Sequence, residues 1–464
     1  MKRTFQAVFA AAALLLSSCG GSTLTAGIEG SGITASGPVS GFGSIFVNGV
    51  EYTTTSAQIE IDNQPGTESQ LAVGQIVTVT GTANADGKTG TATQVTFSGA
   101  VAGPVAQVTP ATRTFVVLGQ TVLVTGSTLF DPNIQPASLS GINPGMYVEV
   151  SGFANSLGQI VASRIEREAA GGSLRVQGAV QALDTSAHTF QVNALLVDYS
   201  AVTPSSTLTN GSSVSVQGST LSASGALLAT GVQVTPVFGA GANGEGDIEG
   251  VVTSFTSNAD FMIGGLHVIT NSSTQFTLNG VTLGVNVRVS VSGSFDSSGN
   301  LVAASVTAML EGEGMVRGLV QALPTSTTVT VSGVTIATSA ETEFEDDSSQ
   351  MLRPFHFSDL HVGDYIEARG TVAAGTVLNA EVLVRQTSEA LSFLQGPATN
   401  VSSPTLTVLG ITVTTTAATT YSGPDDAPLT AAQFFAQAPI STVRVGGTFS
   451  SGSFLATEAH IEGD

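Results

Sequence analysis

The sequence predicts an all-β protein: six tandem small five-stranded OB-like barrels after a lipoprotein signal peptide. Three recurrences carry that expectation. A strand opening on Gly returns six times, an alternating hairpin follows each return, and a period-2 strand ending in Gly comes late in each copy. At 464 residues the chain is long enough for several such cores.

The opening strands begin at Gly37-Pro38-Val39, Gly103-Pro104-Val105, Gly178-Ala179-Val180, Gly250-Val251-Val252, Gly318-Leu319-Val320 and Gly396-Pro397-Ala398. Their intervals are 66, 75, 72, 68 and 78 residues. The hairpins occupy 46–52, 116–124, 190–197, 261–269, 329–336 and 406–413. Asn48-Gly49, Gly264-Gly265 and Ser332-Gly333 supply the positive φ that two-residue turns need. An apolar-x-x-Gly step comes next, at Leu71–Gly74, Ile142–Gly145, Leu208–Gly211, Val281–Gly284 and Leu360–Gly363. A helical turn ended by a left-handed glycine accounts for that spacing.

The period-2 strands then run to Gly81, Gly152, Gly218, Gly293, Gly370 and Gly447. Four of the five steps lie seven residues before that glycine; the Gly284–Gly293 gap is nine, and the sixth copy has Ile440 in place of the step glycine. A final strand follows, as at 161–166, 228–234, 301–306 and 455–461. Alternation buries one face of each strand, and so small a sheet buries that face alone only by curling shut. A seven-stranded sandwich needs more strands than each copy provides. The best helix candidate is Leu429 to Ala438.

The repeats are placed at 28–98, 99–168, 173–236, 246–311, 313–386 and 389–463. Linkers fall at 169–172, 239–246 and 311–314, the first two flexible by composition. Fragments cut at Gly171 and Gly241 are therefore expected to fold, because each carries whole barrels and no disulfide links them.

The N-terminus supplies an address. Lys2 and Arg3 precede an apolar run from Phe5 to Leu16, too short to cross a bilayer as a helix. Leu16-Ser17-Ser18-Cys19-Gly20 resembles the bacterial lipobox, and Cys19 is the one cysteine. The expectation is a signal peptide over 1–18, lipidation at Cys19, a tether over 19–27, and anchoring to the outer membrane of the cell envelope, periplasmic or surface-exposed. The repeat, from Gly-x-Val through the hairpin and step to the Val-x-Val-x-Gly strand, resembles the domain-of-unknown-function family 5666 over roughly 28–463. That resemblance implies tandem OB-like copies in a proteobacterial lipoprotein and brings no catalytic residues with it.

Composition narrows the function. The 34 acids outnumber the 13 basic residues, for a formal charge of −21, which repels phosphate backbones and argues against a nucleic-acid partner. The absence of Trp and the presence of only 5 Tyr argue against a stacking face for sugars. Gly239-x-Gly241-x-x-Gly244 matches a dinucleotide string but opens no helix, and reads as a linker. No cofactor is expected, and the motifs for a nucleophile elbow, P-loop or zinc protease are missing.

His356, Asp359, His361 and Asp364 form the one dense cluster of metal-ligand types, on a turn where a capping Asp359 is expected anyway. Acids also gather at the joints: Glu29; Glu245, Asp247 and Glu249; Glu311 and Glu313; with Glu343 to Asp347 and Asp425-Asp426 elsewhere. Lacking an Asp-x-Asp-x-Asp-Gly loop, they read as solvated loops rather than Ca²⁺ sites. The expected protein is non-enzymatic: a lipid-anchored spacer, scaffold or binding array. The alternative is a protein that binds a glycan, peptide or metal through the inserts 341–360 and 422–440 of repeats 5 and 6. Its partners would be the membrane through Cys19 and an envelope protein or glycan.

Overall fold

The computed structural model describes residues 31–462 apart from 136, 236–243, 279, 310, 311, 313, 374 and 424–426. The signal peptide, Cys19 and the 19–27 tether lie outside the described residues, as do Glu29, Glu311, Glu313, Asp425 and Asp426.

Alternating apolar residues close the chain into small five-stranded barrels. In the first, Ser31–Gly41 pairs antiparallel with Ile45–Val47, which turns into Val50–Thr53. Val50–Thr53 runs parallel to Thr89–Phe97, which pairs with Ile76–Ala83, and that strand returns to Ser31–Gly41. Ile45, Val47, Tyr52, Val77, Val79 and Val95 are fully buried inside this ring. The same closed order recurs in 101–167, 245–308 and 314–386, and in 392–461 with the first strand split into Ser392–Pro397 and Thr399–Ser402. Residues 174–234 follow it too, with their first strand split into Leu174–Ala179 and Gln181–Asp184.

The hairpin turns hold positive φ, and leucine shares in it. Leu118 and Gly119, and Leu409 and Gly410, take the same left-handed pair as Asn48 and Gly49. The step before the fourth strand is a 3₁₀ turn, as at Glu68–Gln70 and Leu139–Gly141, and the left-handed residue follows it. Its N–H donates back to the first strand, Gly74 to Val39 and Gly145 to Val105, both at 2.8 Å. In 245–308 that place is taken by Asn286, with φ 67°, donating to Val252 at 2.8 Å. The odd spacing in the sequence thus disappears, since Asn286 stands seven residues before Gly293. In the last barrel the helix Ala431–Gln437 and the turn Ala438–Ile440 replace the step.

The glycine of the Val-x-Val-x-Gly strand sits at a bulge in every copy, where register slips between the fourth and fifth strands. At Gly81 a Cβ would stand 2.1 Å from the Thr91 carbonyl oxygen, so only glycine permits the bend that closes the ring. One element is additional to the expected plan: a short strand parallel to the fifth, such as Gln58–Ile61 or Glu343–Asp347.

The barrels do not hang as a string. Ile33–Ser36 pairs in parallel with Glu245–Ile248, some two hundred residues away, joining the first barrel to 245–308. Ala102 and Val101 pair with Arg175 and Val176, and Met315–Arg317 pairs with Gln395–Phe393. Each junction covers a first-strand edge whose N–H and C=O groups would otherwise need water. The expected linker at 239–246 is corrected accordingly, because Glu245 and Gly246 are already paired strand. The same pairing bears on the expectation that fragments fold on their own. A piece spanning 246–387 would lose both Ser31–Gly41 and Ser392–Pro397, the partners of its two first strands.

Candidate functional site

Arginine builds the junctions. Beyond Lys2, Arg3 and Lys88, every basic residue is arginine, whose fork binds two acceptors at once and tolerates burial better than an ammonium. Arg164, 5 % exposed, donates to Glu345 at 2.9 Å and to the Val73 carbonyl at 3.0 Å, and pairs with Glu166 at 3.2 Å. Three barrels meet on that one guanidinium. Burial works to lower its pKa, but Glu345 and Glu166 raise it. Arg175 bridges Glu149 at 2.5 Å and Asp62 of the first barrel. Arg369 donates to the Thr128 carbonyl at 2.5 Å. Arg353 lies over the Phe42 ring at 3.7 Å and donates to the Glu68 and Leu71 carbonyls.

The insert 341–360 is the hub of these contacts. Its acids are not a solvated loop, which corrects the sequence reading. Strand pairing with Val382–Gln386 draws Glu343–Asp347 inward. Asp346 is buried against Arg385, at 2.5 Å. Burial opposes its ionisation, yet hydrogen bonds from Arg385, Ser348 and Leu352 hold its pKa at about 2.

The four candidate metal ligands lie at the end of the same insert. His356 caps the turn Phe357–Asp359, and its N–H donates to Asp359 Oδ2 at 2.8 Å. The His361 N–H donates to Asp364 Oδ2 at 2.9 Å, and Asp364 also lies 3.6 Å from Arg385. Both carboxylates therefore act as caps. Among the described residues no three His, Cys, Asp or Glu side chains gather as a metal site. Of the other insert, Ser422–Ile440, the helix buries Phe434 against Tyr421.

Between the barrels 31–97, 101–167, 245–308 and 314–386 lies a cavity of about 440 Å³. Among the described residues its wall carries Glu249, Glu341, Glu343 and Glu381, with Arg288 as the one cation. Arg288 pairs with Glu249 at 2.5 Å and faces the Phe153 ring at 5.5 Å. Asp247, on the same strand as Glu249, accepts from Asn48 Nδ2 at 3.3 Å. The joint acids Asp247 and Glu249 are thus structural partners. Arginine usage was the available signal for the junctions; nothing in the local sequence marked the cavity, because its wall comes from segments up to 344 residues apart, from Pro38 to Val382.

These acids predict a pH dependence of stability. Burial pushes Glu343 up to about 8 from an ordinary 4.5, and Asp247 to about 7 from 3.8. Burial likewise pushes Glu149 up to about 7, although Arg175 pulls it down. A raised folded pKa adds stability that is complete below the unfolded value and is lost as pH rises through the folded one. Asp346 and Glu367 are lowered, so their contribution is lost as pH falls below the ordinary carboxylate range. The melting temperature is therefore expected to rise from pH 8.5 to pH 5.5 and to fall again below about pH 4. Each group that takes up a proton changes stability by at most about 1.4 kcal/mol per pH unit. Calorimetric melts across that range check it, and Glu343→Gln should flatten the alkaline side.

Residues 33–96, 102–166, 249–307, 317–382 and 395–460 match the family described as Domain of unknown function (DUF5666). No curated protein matches the chain. The solved structure titled "drosophila Unr CSD456" is similar at 12 % identity, over 42 % of this chain and 88 % of that chain, with a TM-score of 0.12. The five matched segments span more than half of the sequence, and each coincides with one closed barrel. This chain belongs to the DUF5666 family.

Proposed function

We propose that the chain is a non-enzymatic lipoprotein of the cell envelope, held by Cys19 to the outer membrane, in which the barrels form one rigid binding scaffold. Counting 174–234 with the five matched segments makes six copies. The observation that carries the reading is the junction chemistry: strand pairing and bridging arginines join barrels distant in sequence. A scaffold that presents fixed surfaces needs such junctions, whereas a flexible spacer does not. The Lys2-Arg3 start, the short apolar run and the lipobox-like Leu16-Ser17-Ser18-Cys19 support the anchor. Among the described residues no helix is long and apolar enough to cross a membrane. The insert of the fifth repeat lines the central cavity, which favours a ligand held between barrels over one held on free loops.

Cys19→Ser tests the anchor. The variant is expected to incorporate no labelled palmitate and to leave washed membranes for the soluble fraction. Unchanged membrane partition of an unlabelled variant contradicts the lipoprotein reading.

A further inference from the structure

The central cavity combines one-sided charge with unused hydrogen-bonding capacity. Its volume of about 440 Å³ falls within the range of small-ligand sites, roughly 300–1,000 Å³. Among the described residues four carboxylates face a single guanidinium, and Arg288 is already engaged by Glu249 at 2.5 Å. Glu343 is 8 % exposed, and Asn48 Oδ1, on the same wall, is buried without a hydrogen-bond partner among the described residues. Ser163, also 8 % exposed and lining the same space, has an Oγ without a partner. Buried polar groups are ordinarily satisfied, so two such groups on one wall point to something that enters.

The kind of ligand follows from the charge and its spread. Ionised carboxylates only accept hydrogen bonds, so the occupant must donate. A bare metal ion would need its ligands drawn to one point, whereas these acids are dispersed around a chamber, and no three of them gather as a metal site among the described residues. We infer that this chamber binds a small organic cation carrying several N–H donors, an amine or guanidinium compound, with Glu343 as its anchoring carboxylate. The inference stands on the folded cavity and is independent of lipidation at Cys19.

Binding should also move a proton. Burial raises the Glu343 pKa to about 8; Arg288 lowers it, while Glu249, Glu345 and Glu381 raise it further. Glu341, on the same wall, has a raised pKa as well, through burial and Glu249. At neutral pH the empty cavity therefore keeps a proton on Glu343. An entering cation favours the ionised carboxylate, and the displaced proton passes to the buffer.

Titration calorimetry of the full chain in detergent tests this, with spermidine, putrescine and arginine as probes. The expected result is saturable binding of at least one probe. Its heat should differ between two pH 7 buffers of unlike ionisation enthalpy, reporting release of up to one proton. Glu343→Gln, which mimics the protonated side chain, should melt cooperatively and weaken binding by at least about tenfold. Glu341→Gln should weaken it less, and Glu60→Gln, which changes the net charge equally outside the cavity, less than about twofold. Absence of binding by all three probes, equal losses in Glu343→Gln and Glu60→Gln, or equal competition by Mg²⁺ at matched ionic strength would each overturn the inference. Loss of binding here leaves the palmitate result unaffected, so the two readings fail separately.

Discussion

Arg164→Ala is expected to lower the unfolding free energy by about 3–5 kcal/mol, the cost of leaving a buried charge without its partner. Arg164 is buried where three barrels converge, and its loss strands Glu345 and the Val73 carbonyl together. Nothing exposed replaces it, because Glu345 is only 14 % exposed at its side chain. The paired replacement Arg164→Met with Glu345→Gln should recover much of the loss, since removing both charges also removes their desolvation. Urea melts of the two single variants and the double variant measure the coupling. Equal, additive losses would mean that the guanidinium and the carboxylate do not depend on each other.

Gly370→Val is expected to cost about 3 kcal/mol or more, the upper end of what overpacking does to an ordered interior. A Cβ at residue 370 would stand 1.9 Å from the Asn379 carbonyl oxygen, on the bulge that lets the fifth strand cross the fourth. Backbone, unlike a flexible side chain, cannot step aside without opening the ring. Gly231→Ala is the control, for it lies on the equivalent fifth strand of 174–234 with nothing within 4 Å of the added carbon. That change should stay within about 0.5 kcal/mol. Melts of both variants decide whether the glycine serves closure or only the strand pattern.

The barrel was legible because its determinants are local. Alternation such as Ile45, Val47, Val50 and Tyr52 marks the inner face, and the bulge glycine recurs at a fixed place after the step. The fourth copy misled only in its letters: Asn286 takes the left-handed conformation that Gly74 or Gly145 takes elsewhere, as Asn tolerates it best after Gly. What was illegible is how barrels meet. The parallel pairing of Ile33–Ser36 with Glu245–Ile248 joins segments with no pattern in common beyond being strand edges. The acids 343–347 look like any polar loop until their neighbours Arg164, Arg288 and Arg385 arrive from three other places in the chain. The His356–Asp364 cluster shows the converse. Its spacing suggested coordination, yet local backbone N–H groups claim both carboxylates first.

The central claim is that the barrels form one body rather than a chain of separate units. Small-angle neutron scattering of the full chain in contrast-matched detergent measures it directly. A compact chain of this length has a radius of gyration of about 22 Å, and the account predicts a value no higher than about 25 Å, unchanged between low and high salt. A row of independent barrels, each about 11 Å in radius of gyration, would give more than about 40 Å and would contradict it.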